Sequence, residues 1–202
     1  MFRPLGFIIA AAAILGFATV LLVAIPTLQL TQIPAESGLR PYQPLEWEGR
    51  RVYISQGCVY CHSQQPRDGS LGPDDRRGWG RASTPGDYVY DYPHLLGTMR
   101  TGPDLFNIGV RQPSDDWHHT HLYQPRAVVP WSIMPSYPYL YEWKLKPDPN
   151  DFVVKLPPPF APKEGVIVAK REAVALVAYL KSLKRNYPPT QHQWGKRFKK
   201  GD

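Results

Sequence analysis

The chain begins with an uninterrupted apolar run. From Leu5 to Ile25, 21 residues carry no charge, and Thr19 is the only strongly polar one among them. As a helix rising about 1.5 Å per residue, this run is ~32 Å long, which matches a bilayer hydrocarbon core. It is longer than the ~7–15 residue core of a secretory signal, and no clean small-x-small cleavage site follows. The pattern therefore predicts a retained membrane helix over 5–25. Arg3 precedes the run and no Lys or Arg follows until Arg40. The positive-inside rule then places residues 1–4 in the cytoplasm and everything after Pro26 outside. Later apolar stretches are broken by charge or proline, so no second span is expected.

The remaining chain alternates between proline-rich connections and two helical patterns. Pro26, Pro34, Pro41 and Pro44, with Gly38, argue against a regular helix and make 26–44 a linker. Leu45 to Gly57 reads as a short helix with Glu46 and Glu48 near its positive end. Leu45, Gly49, Val52 and Tyr53 fall on one of its faces, with Gln56 flanking it. Residues 63–130 show no sustained period and read as ordered loops with short helical turns. Six prolines between Pro147 and Pro162 make 141–163 a long connection. Arg171 to Lys184 reads as an amphipathic helix. Val174, Val177, Ala178, Leu180 and Leu183 form its buried side, with Tyr179 between them. Residues 186–202 read as a mobile basic tail. The prediction is a mainly α domain with long ordered loops over 45–185, carried on one N-terminal transmembrane helix.

Composition narrows this further. The 202 residues include 23 Pro, roughly twice the usual ~5% share, which argues against coiled coils, helical repeats and a large regular sheet. Aromatic residues at 12% argue against disorder. The net charge of +7 is concentrated at one end. Seven Lys or Arg and one Asp between Lys181 and Asp202 account for all but one of these charges. A basic tail of this kind suits lipid headgroups or an acidic partner face. It is not the spread basic face of a nucleic-acid binder, so no nucleic acid is expected.

The chemistry is concentrated in Cys58-Val59-Tyr60-Cys61-His62, a C-x-x-C-H sequence. Two thiols three positions apart reach the two vinyl groups of one porphyrin, and the next residue is then held under the iron as an axial ligand. This is the attachment signature of haem c. A zinc site on the same residues would need a fourth ligand, for which His118, His119 and His121 are available on paper. A thioredoxin-like redox pair would need a βαβ context, which the pattern lacks. The second axial ligand is assigned to Met134, because Pro135 and Pro138 stiffen its loop. Met99 lacks such a frame, and a ligand from the His cluster is the alternative. His62 also needs an acceptor for its second ring nitrogen, and the Pro103 carbonyl is the candidate. Arg100, Arg111 and Arg126 are candidates to neutralise the haem propionates, or else to pair with surface Asp residues.

Beyond these residues the chain resembles a known family. Gly38-Leu39-Arg40-Pro41-Tyr42, Gly49-Arg50-x-x-Tyr53 and Gly57-Cys58-x-x-Cys61-His62-Ser63-Gln64 carry the first part of the likeness. Val89-Tyr90-Asp91, Arg100-Thr101-Gly102-Pro103-Asp104-Leu105 and Ser114-Asp115-Asp116-Trp117-His118 continue it. It ends with Pro125-Arg126 and Ser132-x-Met134-Pro135-x-Tyr137-Pro138. Together they resemble the monohaem cytochrome c subunit (FixO/CcoO-like) of cbb3-type cytochrome c oxidases. The resemblance implies a class I cytochrome c-like fold in the bacterial inner membrane, with the haem domain on the periplasmic side. It implies one covalent haem c relaying electrons to a heme-copper catalytic subunit that carries b-type haems and copper. A further cytochrome c subunit or a soluble donor would supply the electrons. Two other readings stay open on the residues: the haem c subunit of a nitric oxide reductase, and a free-standing membrane-tethered shuttle.

Overall fold

A computed structural model describes residues 4–190 of the chain. The apolar run forms helix α1, Pro4–Leu30, which is long and apolar enough to cross a membrane. It continues five residues beyond the expected end at Ile25. Pro26 has no N–H to give, and its ring crowds the preceding turn. The chain accommodates it by widening Val20–Ala24 into a π-helical segment, where the Ile25 N–H donates to the Val20 carbonyl. Local π geometry of this kind lets a helix pass a residue that would otherwise break it. The one strongly polar side chain in the run is satisfied internally: the Thr19 hydroxyl donates to the Leu15 carbonyl at 2.8 Å.

The linker therefore starts after Leu30, and part of it packs on the domain. Glu36 is buried and accepts from the Thr84 hydroxyl at 2.6 Å. The Glu36 N–H also donates to the Gly86 carbonyl at 3.2 Å. Helix α2, Pro44–Ser55, starts from a capping box in which the Gln43 N–H donates to Glu46 at 2.7 Å, with Pro44 in the first turn. Its buried residues are Gly49, Arg50, Val52 and Tyr53. Leu45, expected on the buried face, is exposed, while Arg50 is buried. The Arg50 guanidinium pairs with Asp91 at 2.9 Å, so a charged residue lies inside because its counter-charge is there too.

The middle region holds more order than its composition suggests. A single helical turn, α3, spans Ile108–Arg111. Helix α4 spans Asp115–Tyr123, where loops with short turns were expected. Ser114 caps it by accepting from the Trp117 N–H at 3.3 Å, and Asp115 and Asp116 occupy its positive end. Its period was hard to read because polar residues are buried along it: His118, His119 and Thr120 beside Leu122. The connection expected over 141–163 contains strand β1, Tyr141–Lys144. It pairs antiparallel with β2, Val166–Ala169, in the register Tyr141↔Ala169.

Helix α5, Arg171–Ser182, packs across α2. The crossing is close enough that a Cβ on Gly49 would lie 1.8 Å from the Ala175 carbonyl oxygen. Tyr53 and Tyr179 meet edge to face beneath it, with ring centroids 5.4 Å apart. The buried residues of α5 are Ala173, Ala175, Leu176, Val177, Tyr179 and Leu180, whereas Val174 and Ala178 are only partly covered. A single-stripe reading fails here because α5 is covered by α2, by α3 and by β2. Of the basic tail read over 186–202, residues 191–202 lie outside the described residues. The part before them docks on the domain: the Tyr187 hydroxyl donates to Asp87 at 2.9 Å.

Candidate functional site

Gly57 ends α2 in a left-handed conformation, φ 71°, that few other residues adopt readily. The chain then enters a 3-10 turn, Cys58–Tyr60. The Cys61 and His62 N–H groups both donate to the Cys58 carbonyl, at 3.2 and 3.0 Å. This tight turn presents both cysteines and His62 to one side, and both thiols are free. Burial pushes the Cys58 thiol up to about 12.

The strand-like segment after the turn is clamped against residues 102–105. The Gly102 N–H donates to the Cys61 carbonyl at 2.9 Å, and the Leu105 N–H donates to the Ser63 carbonyl at 2.8 Å. Asp104 locks the clamp by accepting from the Ser63 hydroxyl at 2.6 Å and from the Gln65 and Phe106 N–H groups at 2.8 Å. The Pro103 carbonyl consequently lies 2.7 Å from His62 Nδ1. A carbonyl can only accept, so Nδ1 carries the proton and the Nε2 lone pair is left for a metal. Burial pushes the His62 pKa down, against the Pro103 hydrogen bond, so the ring is neutral near neutral pH. Gly102 lies flat against that ring: a Cβ there would come within 2.3 Å of it.

These residues open onto a cavity of about 420 Å³. Leu105, Ile108, Leu122 and Leu180 supply apolar wall. Met134 lies in the wall as well, brought from more than seventy residues along the chain. Its loop is pinned at three points. The Tyr137 N–H donates to the Leu122 carbonyl at 3.0 Å, and the Met134 N–H donates to the Ser132 hydroxyl at 3.2 Å. Arg126 adds donations to the Ser132 carbonyl at 3.1 Å and the Ser136 hydroxyl at 3.3 Å. Met99 is 57% exposed and does not line the cavity. Trp131, 82% exposed, and Ile133, 76% exposed, form its rim. A larger cleft of about 780 Å³ lies elsewhere, between the linker and α5, and contains none of these residues.

The arginines divide differently from the expectation. Arg100 is not in the cavity wall. Its guanidinium donates to Asp74 and to the Gln65 carbonyl, both at 2.7 Å, and stacks over Trp79. It ties the loops behind His62 together, and Asp74 is a partner the sequence reading did not consider. Arg126 is spent on the Met134 loop, also outside the wall. Arg111 is in the wall. So are His118 and His121, while His119 packs against Phe152 and Tyr141. The sequence reading missed Gly102, whose place directly before Pro103 was the available signal. It also missed Leu122, one turn beyond His118 on α4.

The donor set fits haem c. Two free thiols, a neutral imidazole with its second nitrogen held, and a thioether share one apolar cavity. Among the described residues, no three or more His, Cys, Asp or Glu side chains are placed to hold a metal ion together. The ligand set for the zinc alternative is thus not assembled there. The described sheet has two antiparallel strands, not the βαβ unit of a thioredoxin-like pair.

No curated protein matches the chain. The family model described as "Cytochrome C oxidase, mono-heme subunit/FixO" matches residues 2–157. That span takes in the apolar helix, the Cys58–His62 turn, the Pro103 clamp and the Met134 loop, and the chain belongs to this family of cytochrome c oxidase mono-heme subunits.

Proposed function

We propose that this chain binds one haem c, which would be attached through thioethers to Cys58 and Cys61 and whose iron His62 and Met134 would hold. It thereby serves as an electron-relay subunit of a cbb3-type terminal oxidase. The observation that carries the proposal is the convergence of Cys58, Cys61, His62 and Met134 on one cavity, with His62 Nδ1 held by Pro103. Haem c supplies reversible one-electron chemistry at its iron. The protein's contribution is orientation and exclusion. Pro103 holds the His62 proton and fixes the ring plane, Gly102 lets the backbone close over that ring, and Arg126 steadies the Met134 loop. Leu105, Ile108, Leu122 and Leu180 would give the bound haem an apolar surround. Holding the iron by the Met134 thioether as well as the His62 imidazole would favour a higher potential than two imidazoles, as suits electron delivery towards oxygen. With His62 and Met134 both holding the iron, oxygen reduction would belong to another subunit.

Family membership implies association with a cytochrome c oxidase catalytic complex. The proposed partner is the heme-copper subunit with b-type haems and copper, fed through a further cytochrome c subunit or a soluble donor. The match to an oxidase subunit supports this reading over a nitric oxide reductase subunit or a free-standing shuttle. Helix α1 would anchor the chain in the bacterial inner membrane, with the domain on the periplasmic side. The test is covalent haem staining of the denatured chain. Cys58→Ala or Cys61→Ala should reduce the stain greatly. A Cys58→Ala/Cys61→Ala chain that still stains like the parent would refute the attachment.

A further inference from the structure

Three apolar side chains that the sequence places on buried faces are left without full cover. Leu45 of α2 is exposed, and Val174 and Ala178 of α5 are only partly covered. All three line the cleft of about 780 Å³ between the linker and α5, together with Leu39 of the linker and Phe152. Apolar surface is costly to leave in water, and a cleft of this volume is of the size that ligands occupy.

The same wall carries an excess of positive charge. Arg40, Lys181, Lys184 and Arg185 face two carboxylates, Glu46 and Asp115. His119 is also in the wall, and burial pushes its pKa down to about 4, so it is neutral near neutral pH. Arg40 pairs with Glu46 and Lys181 with Asp115, both at 2.7 Å, which leaves Lys184 and Arg185. Lys184 is exposed and forms no ion pair among the described residues. Arg185 is 2% exposed and shares the single carboxylate of Asp91 with Arg50, at 3.3 and 2.9 Å. The Tyr42 hydroxyl accepts from Arg185 at 3.3 Å and stays neutral, because burial pushes its pKa up to about 12. One carboxylate thus answers two buried guanidiniums, and Arg185 Nε has no hydrogen-bond partner. A buried cation that is not fully compensated costs stability, and an anion in the cleft would offset that cost.

We propose that this cleft holds an anionic phospholipid, with its phosphate at Lys184 in the field of Arg185 and an acyl chain along Leu39, Leu45, Val174 and Ala178. A free anion would leave the apolar strip bare, and an uncharged lipid would leave the positive charge unanswered. The source of the lipid is the bilayer around α1, so the proposal rests on the membrane reading of α1 and not on the haem. Helix α1 ends at Leu30, and Gly38, eight residues later, is already in the cleft wall. Eight extended residues reach at most ~28 Å, so the linker keeps the cleft within that distance of the end of the membrane helix.

The experiment uses the full chain within its oxidase complex, in nanodiscs of phosphatidylcholine doped with a phosphatidylglycerol that carries a photoreactive group on its acyl chain. Labelled peptides are mapped by mass spectrometry for the parent, Lys184→Gln, Ala178→Trp and a chain ending at Thr190. Label on α1 is expected in all four. Label on residues 38–46 and 174–187 is expected in the parent and in the shortened chain. Lys184→Gln should lower the cleft label about fivefold, the effect of one basic residue at an anionic lipid surface. Ala178→Trp fills the groove and should remove the cleft label. Where that variant does not accumulate, photoreactive phosphatidylcholine decides, since it should label the parent cleft less than phosphatidylglycerol does. Equal labelling by the two lipids, or parental labelling of Lys184→Gln, would overturn the recognition of an anionic headgroup. Cleft label displaced completely by inorganic phosphate would make this a site for a free anion, and label lost with residues 191–202 would assign the lipid to the tail. An unlabelled cleft that instead cross-links to an acidic segment of another subunit would make it a protein interface. A chain whose α1 takes no label would overturn the membrane reading on which the proposal rests.

Discussion

His62 shows how one side chain is held by several independent constraints. The Pro103 carbonyl accepts from its Nδ1–H, Gly102 removes the bulk that would push the ring away, and Asp104 locks the backbone that carries both. Pro103 was legible as a rigid carbonyl within Arg100-Thr101-Gly102-Pro103-Asp104. The work of Arg100 was not, because its partner Asp74 lies 26 residues away in a loop without periodic pattern. Met134 can be tested at this level. Imidazole stabilises ferric iron better than a thioether does, so Met134→His should lower the reduction potential in a redox titration. Met99→Leu should leave the optical spectrum of the haem nearly unchanged, since Met99 lies outside the cavity wall. The reverse pattern would reassign the ligand.

Among the elements, the crossing of α2 and α5 carries the domain and positions the site. Both helices bury aromatic and small residues against each other, and α2 delivers the chain directly into the Cys58 turn. Both were readable from their spaced apolar residues, although Leu45 of α2 is exposed and Val174 and Ala178 of α5 are only partly covered. Helix α4 was missed because its interior face is largely polar. The strands were missed because four residues are too few to show alternation amid prolines. The closeness of the crossing was also beyond reach, since nothing local marks Gly49 as the contact point. A Cβ there meets backbone, which cannot swing aside. Gly49→Ala should therefore destabilise the domain by about 1–3 kcal/mol, as overpacked sites do. A denaturant titration of the haem-loaded chain that shows no loss of stability would contradict this account of the contact.

For the molecule as a whole, the linker and the start of the tail act as a strap around the domain. Glu36, Thr84, Asp87 and Tyr187 are joined by hydrogen bonds, and Arg81 pairs with Asp87 at 2.7 Å. This strap holds Glu36, six residues after the end of α1, against the domain. The topology proposed from the charge pattern around α1 has the domain outside the cytoplasm. The loop around Arg76 and Arg77 is exposed and offers a trypsin site. Trypsin added to the outside of spheroplasts should therefore cleave the free subunit within the domain. Cleavage from the cytoplasmic side alone would reverse the proposed topology.

The local signals were sufficient for the membrane-length helix, the Cys58–His62 motif, the helices on either side of the domain and the prolines that frame Met134. Each depends on neighbours within a few residues: an uncharged run, a C-x-x-C-H spacing, an apolar stripe, a pair of prolines. The allocation of arginines followed from the folded chain, because an ion pair forms with whichever carboxylate the fold brings close. Asp91 lies beside Arg50 and Asp74 beside Arg100, while Arg111 is left beside an Asp104 whose carboxylate is already engaged. The extent of α1 likewise depended on how the backbone rearranged around Pro26. Long-range pairing and backbone adaptation have no periodic trace, so they emerge only when segments distant in the chain are packed together.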